Sequence, residues 1–172
     1  ENTDQWLEAA SKLGAKYAVF VANHVTGFSM WPTRENSYSI ASSPYKDGGA
    51  DIVADFIASC KKYGIRPGLY YSTGCNGYYG INDSEKQDYM SKKYRDYVAM
   101  VERQLVELWG NYGELFELWF DGGVIPRELG GPDIPRLIET YQPNAVCFQG
   151  PREHTQNLRW VGNERGLAPI AC

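Results

Sequence analysis

No stretch of the 172-residue sequence approaches the ~18 uninterrupted apolar residues that a membrane-spanning helix needs. A membrane span is therefore not expected. Positive charge is not in surplus either: 17 Lys and Arg stand against 21 Asp and Glu, a net charge of -4, so nothing electrostatic draws the surface to nucleic acid or anionic lipid. Histidine is scarce, with two residues, and Cys60, Cys75, Cys147 and Cys172 have the spacing of neither a zinc site nor a disulfide scaffold. No metal and no cofactor are expected. The absence of a Gly-x-Ser-x-Gly elbow argues against a serine hydrolase. The sequence also has no internal repeat, no low-complexity linker and no charged-then-apolar leader. What it has in plenty is aromatic residues, 14% of the total with 13 Tyr and 5 Trp. Flat apolar rings with a polar edge suit sugar binding as well as ordinary cores.

Helical and strand-like spacings alternate along the chain, the pattern of repeated strand and helix units around a parallel sheet. Thr3-Asp4 reads as the cap of a helix running to Leu13 and stopped by Gly14, and Tyr17 to Ala22 as a buried strand. Asn23-His24-Val25-Thr26-Gly27 then follows where a dinucleotide fold would carry a glycine-rich phosphate loop. Residues 26–49 read as loop. Asp51 opens a helix with Ile52, Val53, Phe56, Ile57 and Cys60 on one face, closed by Gly64. Further strands are expected at residues 65–71, 115–121, 145–148 and 158–161, a long helix from about Ser84 to Trp109, and a short one around Ile134 to Tyr141. A complete eight-stranded barrel of such units takes about 250 residues and seldom fewer than 200. The expectation is thus α/β class: residues 1–172 as a single incomplete (β/α)8 barrel of about five parallel strands.

In such barrels the loops after the C-terminal strand ends build the active site. Asp121 ends an apolar strand before Gly122-Gly123, and Trp119, two positions earlier, shares its face by strand alternation. A carboxylate beside an indole suits a nucleophile under a sugar ring; the competing reading is that Asp121 only caps the turn. Glu164, after the Trp160 run and before Gly166, is either a second carboxylate of the same site or a surface loop residue. Glycosidic cleavage requires such a pair, one group attacking or positioning water while the other protonates the departing oxygen. His24 at a strand end is either a hydrogen-bonded structural residue or a ligand, and His154 reads as solvated.

Taken in order, Asn23-His24-Val25-Thr26-Gly27-Phe28, Trp31-Pro32, Ser42-Ser43-Pro44-Tyr45, Gly68-Leu69-Tyr70-Tyr71-Ser72, Glu117-Leu118-Trp119-Phe120-Asp121-Gly122 and Arg159-Trp160-Val161-Gly162-Asn163-Glu164 form a set of motifs. That set resembles the α-L-fucosidases of glycoside hydrolase family 29 across nearly the whole chain. The resemblance implies a retaining, exo-acting hydrolase that removes terminal L-fucose from glycans. It places the nucleophile on Asp121 and, in the subgroup carrying Trp-Val-Gly-Asn-Glu, the acid/base on Glu164; that subgroup prefers α-1,3 and α-1,4 linkages. Fucose contacts are implied for His24, Tyr70, Trp119 and Arg152, with Arg159 as the alternative to Arg152, and Trp31 is counted with them. Where the family commonly has Lys-His-His-Asp-Gly-Phe, this chain has Asn23-His24-Val25-Thr26-Gly27-Phe28, without the second His and the Asp. The resemblance further implies that the first barrel strand, the last strands and a C-terminal β-sandwich lie outside these residues. The expected partner is a fucosylated oligosaccharide or glycoconjugate, in the periplasm or outside the cell. The alternatives are a non-catalytic fucose-binding member or an inactive fragment, since a half barrel leaves strand edges open to self-association or to the rest of the barrel.

Overall fold

A computed structural model describes residues 2–82 and 87–168. In chain order the main elements are α1 (Thr3–Lys12), β1 (Tyr17–Asn23), α2 (Ile52–Tyr63), β2 (Arg66–Tyr71), α3 (Lys92–Asn111), β3 (Glu117–Trp119), α4 (Ile134–Tyr141), β4 (Val146–Phe148) and β5 (Asn157–Leu158). Every strand pairs in parallel with the next, in the order β1-β2-β3-β4-β5. Neighbouring parallel strands need a crossover, and α2, α3 and α4 supply the first three. Two 3-10 turns, Ile40–Ser42 and Tyr45–Gly48, break the loop expected over residues 26–49.

Strand register sorts side chains into two faces. Phe20, Leu69, Leu118 and Cys147 lie side by side and join the core formed with Phe56, Val101, Leu105 and Leu137 of the helices. Val21, Tyr70, Trp119 and Phe148 lie side by side on the other face. One layer below them, Val19, Gly68, Glu117 and Val146 are aligned. Gly68 is required there: a Cβ would stand 2.9 Å from the Glu117 carbonyl oxygen and 3.0 Å from Val19 Cγ2.

Helix ends follow local chemistry. Asp51 caps α2, its carboxylate accepting from the Ala54 amide at 2.9 Å, and Gly64 ends it in the left-handed conformation at φ +67°. At α1 the cap is Asn2 instead of Thr3-Asp4. Those two side chains serve α2: Thr3 and Ser59 hydroxyls are 2.8 Å apart, Ser59 donates to Asp4 at 2.6 Å, and Lys62 pairs with Asp4 at 2.6 Å. The long helix begins later than its apolar spacing predicts. Ser84 lies outside the described residues, residues 87–91 are not helical, and Ser91 caps α3 through the Tyr94 amide at 3.1 Å.

Two strands are shorter than expected by more than one residue. β3 pairs only over residues 117–119, although the Phe116 amide donates to the Pro67 carbonyl and the Phe120 amide to the Phe148 carbonyl at its two ends. β5 spans two residues instead of 158–161, because its partner β4 stops where Gln149 turns to φ +52°. His154 is not simply solvated: its Nε2 lies 3.1 Å from the Ala145 carbonyl oxygen.

Candidate active site

All five strands run the same way, so their C-terminal ends open at one edge of the sheet. A cavity of about 580 Å³ lies there, walled by Val19, Val21, Tyr70, Trp119, Phe148 and Trp160, with Asp121 and Glu164 also on its lining. Its walls are mainly apolar and aromatic, with few polar groups, the usual make-up of a small-molecule site.

Asp121 is set by a tight turn after β3. The Gly123 amide donates to the Phe120 carbonyl at 3.0 Å, and Gly122 takes φ +76°, as the third residue of a type II turn must. The Asp121 side chain is exposed to the cavity, where Tyr70 donates its hydroxyl to Oδ2 at 3.0 Å. Burial, and secondly the nearby Asp121, push the Tyr70 hydroxyl well above the ordinary tyrosine range, so it remains a proton donor at physiological pH. His24 stacks on Tyr70 with ring centroids 5.4 Å apart and planes 8° from parallel. Trp119 packs on Phe148 at 4.0 Å. Asn163 shapes the turn that carries Glu164, its side-chain oxygen accepting from the Arg165 amide at 2.9 Å.

Of the residues picked from sequence, Asp121, Glu164, Tyr70 and Trp119 line this one cavity, and His24 adjoins it through Tyr70. Trp31 does not. It is 2% exposed, packs near Tyr71 on the helix-facing side, and donates its indole N–H to Glu107 of α3 at 2.9 Å. Arg152 lies elsewhere too, in a separate cavity of about 360 Å³ between the loops after β3 and β4. Arg159 is exposed directly after β5. Sequence reasoning passed over Val19, Val21, Phe148 and Trp160 as lining residues. Alternation with Trp119 marks the first three only once register is known; Trp160 was within reach as the aromatic of the Glu164 motif. Among the described residues no group of three His, Cys, Asp or Glu is disposed to hold a metal ion.

The alpha-L-fucosidase family model matches residues 2–165. The chain belongs to the alpha-L-fucosidase family. Family relatives include alpha-L-fucosidase 1 of Arabidopsis thaliana, 33% identical over 99% of this chain and 32% of its own length. A crystal structure of a candidate alpha-L-fucosidase from Bacteroides thetaiotaomicron superposes with a TM-score of 0.87 at 36% identity, covering 99% of this chain and 39% of that one. A glycoside hydrolase 29 family member from a rumen bacterium gives 0.72 at 30% identity, over 96% of this chain and 30% of its own. The five parallel strands and their helices accordingly form part of the barrel-like α/β fold of these fucosidase neighbours. The chain spans about a third of the length of the curated relatives it matches.

Proposed function

We propose that this chain carries the nucleophile and the acid/base of a retaining exo-α-L-fucosidase acting on terminal α-1,3- or α-1,4-linked fucose of glycans. The supporting observation is that two carboxylates, Asp121 and Glu164, line one aromatic-walled cavity at the C-terminal strand ends. In the first step the Asp121 carboxylate forms a bond to the anomeric carbon as the bond to the leaving oxygen breaks, and that oxygen takes the proton of Glu164. In the second, water gives a proton to the Glu164 carboxylate and displaces Asp121, releasing fucose with its original configuration. Tyr70 steadies the carboxylate it bonds, while Trp119 and Trp160 supply apolar surface for a sugar ring. Both faces of the reaction then fall to residues of one sheet edge.

The test is hydrolysis of an aryl α-L-fucoside and of fucosylated oligosaccharides of defined linkage, with proton NMR of the first-formed sugar. The expected result is α-L-fucose as initial product, faster release from α-1,3 and α-1,4 linkages than from others, and β-fucosyl azide when Asp121→Gly is supplied with azide. An initial β product, or full turnover without Asp121, overturns the reading. Fucose binding measured calorimetrically without any release would favour a carbohydrate-binding role.

A further inference from the structure

Three non-glycine residues among those described have positive φ, and Lys46 and Asp47 occupy one turn of the loop before α2. The third, Gln149 at φ +52°, directly follows β4 and the cavity-lining Phe148. An L residue adopts this conformation against a steric cost, and such outliers concentrate at functional sites. Its backbone is held on one side, the amide donating to the Leu158 carbonyl of β5 at 2.8 Å. Its side chain reaches the other way: Oε1 accepts from the Gly122 amide at 2.9 Å.

That amide belongs to the peptide joining Asp121 to Gly122. In a turn of this kind the central peptide can turn over, converting type II to type I, and glycine at the third position makes either state accessible. Overturning it would swing the Gly122 N–H away from Gln149 and change ψ of Asp121. Two other contacts hold neighbouring parts of the same turn. Thr73 donates to the Gly123 carbonyl at 3.3 Å, and Tyr70 to the Asp121 carboxylate itself. Neither touches the central peptide.

We infer that Gln149 is a positioning residue for Asp121, its side-chain carbonyl locking the Asp121–Gly122 peptide and so setting where the carboxylate points. The inference rests on the reading of Asp121 as the nucleophile. It separates cleanly from a role in folding, because glycine suits φ +52° better than glutamine does. Gln149→Gly relieves the strain and deletes the clamp at once; Gln149→Glu keeps an acceptor oxygen in reach.

The experiment compares the wild-type full chain with Gln149→Gly and Gln149→Glu in three readouts: kcat and KM on an aryl α-L-fucoside, melting temperature, and hydrogen exchange of the Gly122 amide. The expected result for Gln149→Gly is a melting temperature no lower than wild type, kcat reduced about tenfold to a hundredfold, as small misplacements of a reacting group cost, and KM changed less than about threefold. Gly122 exchange should accelerate. Gln149→Glu should keep Gly122 protected and recover most of the lost kcat. Undiminished kcat in Gln149→Gly, or equal losses in both variants alongside a lower melting temperature, overturns the inference. If the wild type itself hydrolyses no fucoside, the fucosidase reading fails separately; unchanged Gly122 exchange in Gln149→Gly would then still defeat the clamp.

Discussion

Two halves of one strand, separated only by alternation, have opposite fates. Leu118 and Phe120 of the β3 segment are 1% exposed, sealed under the helices with Leu105 and Leu137. Trp119 and Asp121, one residue away from each, face a cavity open to solvent. On this segment the helix-facing side chains, Leu118 and Phe120, carry no polar group, and burial makes them stabilising. The cavity side keeps a carboxylate and an indole uncovered, which gives up burial in exchange for groups able to meet a ligand. Stability and function thus divide by face here, and the division can be tested.

The largest expected effect is on the cavity side. Asp121→Gly should lower fucoside turnover on the order of a thousandfold or more while leaving the melting temperature nearly unchanged, because an exposed side chain away from the core contributes little to stability. A large fall in melting temperature would break the comparison. Next, Leu118→Ala should cost about 3 kcal/mol of unfolding free energy, as fully buried leucines do, read by denaturant titration, with KM of the folded fraction unchanged. Third, Trp119→Ala should weaken kcat/KM up to about tenfold, roughly one aromatic stack's worth, with a smaller stability loss from its contact with Phe148.

The smallest effect concerns the exception. Glu117 lies on the cavity-side face one layer below Trp119, yet it is 2% exposed. Burial raises its carboxyl above the ordinary value of 4.5, with the Tyr17 hydroxyl pulling weakly the other way. The folded chain therefore holds this proton to higher pH than the unfolded chain does. Stability falls as pH rises from about 4.5 through the raised folded value and is level above it. Thermal melts between pH 4 and pH 8 should show Glu117→Gln gaining on the wild type across that window. A constant difference at every pH would mean that folding leaves the affinity of the Glu117 carboxyl for its proton unchanged.

The order of strands and helices was legible because their signals are local. Asp51 and Gly64 bracket α2 by cap chemistry that needs only neighbours in sequence, and the Ile134–Tyr141 helix follows its apolar spacing residue for residue. Errors arose where partners are distant. Apolar content carried the expected β5 to Val161, but pairing ends with β4 at Phe148, and no property of residues 159–161 announces where their partner stops. Thr3 and Asp4 look like capping residues, yet Ser59 and Lys62, more than 50 positions on, engage them instead.

The candidate site divides the same way. Asp121, Trp119, Tyr70 and Glu164 stand at strand ends or in a glycine-bounded motif, positions that alternation and motif order disclose without coordinates. Trp31 stands in a motif as well, and its sequence context does not distinguish an indole that faces a sugar from one that donates to Glu107 under α3. That choice depends on which side of the sheet the loop after β1 falls, a long-range matter. The sequence by itself determined the α/β alternation, the parallel sheet and the place of Asp121 just after its third strand, since each follows from periodicity and neighbouring residues. Only the tertiary structure decided that Asp121 and Glu164 share a cavity, that Trp31 is core, and that Gln149 grips the Asp121 turn, because those facts depend on register between strands far apart in the chain.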